Sequence, residues 1–152
     1  MSLGKIVSPG KGRLIPLSEV KDQGFASGAI GKGVAIIPEE GIIYSPISGT
    51  VHTVFETKHA YGLMDERGFE YIVHIGLDTV ELGGRHFKNC VRAGDKIEPG
   101  DTIAKFNSSA IKKKGYDLTT PIVVINLKQG QEISMASRNQ VMPGDEIFTI
   151  HE

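Results

Sequence analysis

Nineteen glycines in 152 residues, nearly twice the ordinary usage of about 7%, constrain this chain more than any other feature. They do not gather in one block. They fall between short runs rich in Val, Ile and Thr, such as Gly33–Pro38, Thr50–Phe55 and Thr119–Leu127. Glycines so placed are turn residues rather than a linker. Short β-branched runs between turns predict an all-β, antiparallel sandwich or barrel. The length suits one domain with a proper core and is too short for two ordinary ones. Helix is expected only as short pieces, within Leu17–Phe25, Leu77–Leu82 and Asn107–Tyr116. In the last, Ser108 reads as the N-cap, lysines favour the C-terminal end and Gly115 stops the helix. Pro99-Gly100-Asp101 recurs as Pro143-Gly144-Asp145, each ahead of a strand, so two related hairpin units are expected.

Within that frame the chemistry concentrates between Phe55 and Leu82. Two strands, His59–Met64 and Phe69–Ile75, flank the polar tetrad Asp65-Glu66-Arg67-Gly68, which is a hairpin signal. A hairpin closed symmetrically about Glu66 and Arg67 sets His59 opposite His74, with Cα atoms roughly 4.5–5.5 Å apart and side chains on one face. A bulge at Gly68 would slip the pairing by one and turn one histidine to the other face. A two-histidine site is therefore expected only in the first register.

Among His52, His59, His74, His86 and His151, the pair at 59 and 74 stands apart because each has an orienting group beside it. Thr57 lies two residues before His59, and the Ile75-Gly76 backbone follows His74. Holding one ring nitrogen fixes the tautomer and leaves the other nitrogen outward. A neutral outward imidazole is a nucleophile, a base or a metal ligand, and spacing does not choose among them. A phosphoryl-accepting nucleophile needs a neighbour to take up charge and an apolar rim against water. Phe25, Ile30, Phe55, Ile72 and Val80 are the rim candidates, although pattern alone reads them as ordinary core. Asp78 either modulates the His74 imidazole or caps the turn that follows. His52 has no assigned role.

A net charge of −1 gives no reason to expect nucleic acid or an anionic membrane, and Lys112-Lys113-Lys114 reads as a solvated helix face. The single cysteine, Cys90, excludes an intramolecular disulfide and fits a reducing compartment. In the run FKNCV it is expected to be a small buried hydrophobe. With no signal peptide and no apolar run near the roughly 18 residues of a span, the chain is expected to be cytoplasmic, with no direct membrane insertion. The glycine-rich Ser27–Lys32 lacks the spacing of a phosphate loop. Residues 1–4 read as a leader or expression remnant and 5–152 as the domain.

The segments FETKHA (55–60) and VHIGLDTVEL (73–82), supported by VAIIP, SPISGTV, GDKIEPGDTIAKF and TTPIVV, resemble the enzyme IIA domain of the glucose class of the bacterial sugar phosphotransferase system. The resemblance runs from about Ile6 to Ile150. FASGAIGKGVAIIP and GYDLTTPIVV look closer to the β-glucoside and trehalose types than to the enteric glucose protein. The resemblance implies a phosphotransferase component whose His74 accepts a phosphoryl group from the phosphocarrier HPr and passes it to the cysteine of a IIB domain of a membrane sugar permease. It implies that His59 assists, that Thr57 orients His59, and that Asp78 is the acidic residue of the H-x-G-x-D motif. Phe25 and Phe55 fall on the family's apolar docking ring. Ile72 stands where the enteric protein has phenylalanine. No longer N-terminal tail is expected, and no cofactor is required, although the histidine pair suits an auxiliary Zn²⁺.

Two rival resemblances are weaker. Lipoyl- or biotinyl-carrier domains share the Ser-Pro and GDKIEPGDTI turns and would be modified at Lys58, yet here Lys58 adjoins a histidine. Zinc peptidases of a related β-fold share the H-x-x-x-D spacing of His74 and Asp78, but the H-x-H element is missing.

Overall fold

The computed structural model describes residues 2–152. Met1, the first of the four residues read as a leader, lies outside the described residues, and residues 2–4 fall within the first strand. Every strand pairing is antiparallel, and the strands form three sheets. The largest runs in the order β13 (Gln140–Val141), β2 (Gly12–Pro16), β3 (Lys32–Pro38), β11 (Thr120–Val124), β7 (Glu70–His74), β6 (Ala60–Asp65), β5 (Gly49–Val54) and β9 (Lys96–Ile97). Two three-stranded sheets complete the sandwich. One orders β1 (Ser2–Val7), β14 (Glu146–His151) and β12 (Glu132–Met135); the other orders β4 (Ile42–Tyr44), β10 (Thr102–Phe106) and β8 (Phe87–Asn89).

Strand alternation gives the large sheet two apolar faces. Ile122 and Val124 of β11, Tyr71 and Val73 of β7, and Tyr61 and Leu63 of β6 point into the main core with Phe148 and Ile150. Val123, one residue out of phase, points the other way into a smaller cluster with Ile15, Leu17, Val20, Phe25, Ala35 and Leu77. The segment after β2 covers this second face. It carries a 3₁₀ turn (Leu17–Glu19) and the one-turn helix α1 (Gln23–Ala26), whose N-cap Asp22 accepts from the Gly24 N–H at 2.9 Å. The small second core fixes a platform on the sheet's back face, and His74 stands at its edge.

The Pro-Gly-Asp turn does recur, but not as the expected hairpins: β9 and β10, and likewise β13 and β14, pass into different sheets across it, and each turn is partnered by a Ser-Pro motif. Ser8 donates its N–H to Asp145 O (2.6 Å) and its O accepts from Gly144; Ser45 does the same with Asp101 (2.7 Å) and Gly100. Each serine hydroxyl also bonds the backbone two residues on. In each Pro-Gly-Asp turn the carboxylate accepts the N–H three residues back, at Glu98 and Met142, and the glycine takes φ 93°, a left-handed value suited to a residue without Cβ.

Three local expectations are corrected. The N-cap of α2 (Ser108–Lys113) is Asn107, whose Oδ1 accepts from Ala110 at 3.0 Å, rather than Ser108. Cys90 is exposed; β8 is an edge strand that turns Phe87 inward and leaves the cysteine beyond its end. The central hairpin takes the slipped register, with His74 opposite Ala60 and Met64 opposite Glu70. Asp65 drives the slip. Its Oδ1 accepts from both Arg67 and Phe69 N–H, its Oδ2 accepts the Tyr71 hydroxyl, and Gly68 turns at φ 87°.

Candidate functional site

In the slipped register a continuous strand would send the two histidines to opposite faces. They meet nonetheless, with ring centroids 4.7 Å apart and planes at 86°. His59 precedes β6 and sits at the exit of a tight turn. Lys58 donates its N–H to Phe55 O at 2.8 Å and takes φ 60°. That left-handed residue takes His59 out of the pleat's alternation. The His59 carbonyl still continues the ladder by accepting from Ile75 N–H at 2.6 Å, while its ring leans over the strand end toward His74. The convergence is thus made by the turn rather than by the register.

Each ring is pinned through Nδ1 by a residue two positions away. His74 Nδ1 lies 2.7 Å from the Gly76 carbonyl oxygen. A carbonyl only accepts, so Nδ1 carries the proton and the neutral ring has its lone pair on Nε2. His59 Nδ1 lies 2.6 Å from the Thr57 hydroxyl, which either donates or accepts. Among the described residues no buried side-chain nitrogen or oxygen lacks a hydrogen-bond partner. Neither Nε2 has such a partner, so both reach the surface, although His59 as a whole is only 3% exposed.

Burial is the main reason that both imidazoles resist protonation. His59 is lowered from 6.5 to about 4 by burial and then by the charge of His74, against the pull of a hydrogen bond to the Thr57 backbone. His74 is lowered by burial, opposed by its bond to Gly76 and by the negative charges of Asp22 and Asp78. Both rings are neutral at pH 7. Asp78 stands at the N-cap position of the 3₁₀ turn Thr79–Leu82 without a side-chain cap, and its charge is one of the two that oppose the lowering at His74. Asp22 acts on the ring in the same direction. Nothing in the sequence singled it out.

The rim residues divide. Phe25 is 4% exposed and packs against His74, centroids 5.1 Å apart; it is a wall behind the ring rather than a contact surface, because the second core claims it. Phe55, 39% exposed, meets His59 edge-on at 5.9 Å. Ile30 and Val80 are exposed and Ile72 is half-buried. Ile125, also exposed, extends this apolar surface. Period-two alternation from Val123 would have put it there, but the run TTPIVVINL reads as wholly buried. Phe55, Ile72 and Ile125 share a shallow cavity of about 140 Å³ with His52, which occupies the β-bulge between Val51 and Thr53. Among the described residues no group of three or more His, Cys, Asp or Glu side chains is placed to hold a metal ion.

Residues 4–130 match the family model described as phosphoenolpyruvate-dependent sugar phosphotransferase system, EIIA 1. The chain is 43% identical over 146 residues to a PTS system beta-glucoside-specific EIIBCA component of Halalkalibacterium halodurans, covering 96% of this chain and 23% of that protein. It is 44% identical over 145 residues to the component of the same name from Bacillus subtilis, covering 95% and 24%. The chain therefore spans about a quarter of the length of these relatives. Its fold is similar to that of the glucose permease IIA from Mycoplasma capricolum, with a TM-score of 0.89 at 33% identity over 97% of this chain and 94% of that one. These matches lend no support to a lysine-modified carrier or a zinc peptidase.

Proposed function

Because the chain belongs to the EIIA 1 family of the phosphoenolpyruvate-dependent sugar phosphotransferase system, we propose that it carries a phosphoryl group on Nε2 of His74. The group arrives from phospho-HPr and leaves to the cysteine of a IIB domain, and the domain that carries it faces the cytoplasm. The relatives' names, which join IIB and IIA in one component, support IIB as the onward partner. No helix among the described residues is long and apolar enough to cross a membrane.

The observation that carries the reading is the pair of crossed imidazoles, each bonded through Nδ1 and each presenting Nε2 outward. In the first step the Nε2 lone pair of His74 attacks phosphorus while the P–N bond of phospho-HPr breaks. The ring becomes an imidazolium whose charge the Gly76 carbonyl stabilises through the Nδ1–H. In the second step a cysteine thiolate attacks phosphorus, the P–Nε2 bond breaks, and the ring returns to the same neutral tautomer. No cofactor is needed, and a Zn²⁺ at the pair would be auxiliary.

His59 serves the moving group. When the Thr57 hydroxyl donates to His59 Nδ1, Nε2 carries the hydrogen and can donate it to a phosphoryl oxygen as charge develops there. Thr57 thereby orients His59, and Asp78 modulates His74 through its field. Phe25 behind the rings keeps water from the P–N bond. Phe55, Ile30, Ile72, Val80 and Ile125 offer a shallow apolar patch suited to brief docking of two partners in turn.

The test is transfer of label from phosphoenolpyruvate through enzyme I and HPr. The expected result is one acid-labile, base-stable phosphate on His74, absent from His74→Ala. Label on another residue, or none on the wild-type protein, overturns the reading.

A further inference from the structure

The Gly76 carbonyl that fixes the His74 tautomer belongs to a loop held at three points. The Leu77 N–H, in the same peptide unit as that carbonyl, donates to Asp117 O at 2.8 Å. The preceding carbonyl, that of Ile75, accepts the Thr79 hydroxyl at 2.5 Å. Gly76 itself takes φ 79°, and a Cβ there would lie 2.6 Å from Thr79 Cγ2 and 3.1 Å from Asp117 O. Thr79 is fully buried, and its hydroxyl bonds within this loop. Its two branches do separate things. The methyl closes the space over Gly76, and the hydroxyl sets the plane of the peptide just before the one that His74 addresses.

We propose that Thr79 is a positioning residue for phosphoryl transfer: its hydroxyl, through the Ile75 carbonyl, aims the Gly76 carbonyl at His74 Nδ1 and so keeps the attacking lone pair on Nε2. The proposal rests on the reading of His74 as acceptor for its kinetic consequence only; the tautomer is a property of the resting protein. A buried hydroxyl serving only stability would leave the ring's proton where it is. One that aims the carbonyl controls that proton.

Thr79→Val keeps the shape and removes the hydroxyl, and Thr79→Ser keeps the hydroxyl and removes the methyl. Long-range ¹H–¹⁵N spectra of the wild-type protein at pH 7 should show His74 with a protonated Nδ1 and an unprotonated Nε2. In Thr79→Val the two nitrogen shifts should move toward each other as the second tautomer appears. The rate of acceptance from phospho-HPr should fall roughly tenfold, as expected for a misaimed nucleophile, with little change in apparent KM. Thr79→Ser should restore both. Unchanged ring shifts and rate in folded Thr79→Val overturn the proposal, as does a serine variant that behaves like the valine one. If Thr79→Val does not fold, the wild-type protein decides. A Thr79 hydroxyl proton protected from exchange supports the bond, and one exchanging too fast to observe overturns the proposal. Shifts that move in a protein that never accepts phosphate would leave the positioning intact and defeat the functional reading instead.

Discussion

The turn before β6 and the loop after β7 solve one problem in two ways. Each must hold an imidazole by Nδ1 with a group two residues distant, and each uses a left-handed residue to bend the backbone, Lys58 at φ 60° and Gly76 at φ 79°. The first turn employs a side-chain hydroxyl, Thr57, and the second a main-chain carbonyl, Gly76. A carbonyl dictates the tautomer, whereas a hydroxyl follows it. The lone pair of His74 is thus locked in place, and its neighbour keeps the freedom to present either a hydrogen or a lone pair. The burial of the two turns follows the same division. Thr79 packs over Gly76 in the interior, while Glu56 and Lys58 lie in solvent.

Removing the adaptable ring should separate the two steps most clearly. His59→Ala is expected to accept phosphate at His74 yet pass it on about 10²–10³-fold more slowly, the worth of one donor aimed at developing charge. Quench-flow transfer to a IIB domain measures this. Normal onward transfer would make the two rings independent and leave the comparison without content.

Gly76→Ala attacks the locked side. The left-handed φ costs an alanine about 1–2 kcal/mol, and the Cβ contact 2.6 Å from Thr79 adds to it, for an expected loss of at least about 2 kcal/mol. Gly83→Ala is the control. Gly83 is also left-handed, at φ 61°, but a Cβ there meets nothing within 4 Å, so only the conformational part should appear. Equal denaturation midpoints for the two variants would show that the packing over Gly76 counts for nothing.

Acid should also expose the pair. His59 binds protons less readily folded than unfolded, with its value falling from 6.5 to about 4. As pH drops through that window the unfolded state holds more protons, so stability falls with pH and levels below about 4. His74 shifts in the same direction. Urea midpoints between pH 7 and 4 should decline more steeply in the wild-type protein than in His59→Gln. Parallel curves would mean that His59 is not the buried base described here.

Much of this architecture was legible in the chain, unevenly and for physical reasons. Glycines between β-branched runs announced a sandwich because turns and pleated strands make strong local demands. The histidine pair was also legible, though the route to it failed. The expected register would have joined the rings through the ladder, whereas Asp65 captures two N–H groups and slips the hairpin, and the turn at Lys58 brings His59 back. That compensation depends on a lysine in a left-handed conformation, which no propensity foretells. β8, β12 and β13 went unread because strands of two to four partly exposed residues carry little alternation. Ile125 went unread as a site residue because it already had a sufficient local role at the end of an apolar strand, and Asp22 because a lone carboxylate in a polar segment makes no pattern.

Thr57→Val should touch the adaptable turn alone. Losing one neutral hydrogen bond, near 1 kcal/mol, should slow onward transfer about fivefold and leave acceptance at His74 unchanged, and Thr57→Ser should recover the loss. An equal fall in both steps would place Thr57 in the frame of the turn rather than at the ring.

The smallest effect tests the backbone of that turn. Lys58 holds a conformation that costs a residue with a Cβ about 1–2 kcal/mol, and glycine would relieve it while losing roughly 0.5–1 kcal/mol in the unfolded chain. The Lys58 side chain contributes little to oppose the exchange, since it is exposed and runs past Gly84, whose added Cβ would meet it only at 3.6 Å. Lys58→Gly is therefore expected to be neutral or to stabilise the fold by up to about 1 kcal/mol, with both transfer steps preserved. Chemical denaturation and the two transfer rates check this together. A marked loss of onward transfer would mean that the lysine itself, rather than the bend it makes, serves the phosphoryl group, and the two turns would then differ in chemistry as well as in the group that pins each ring.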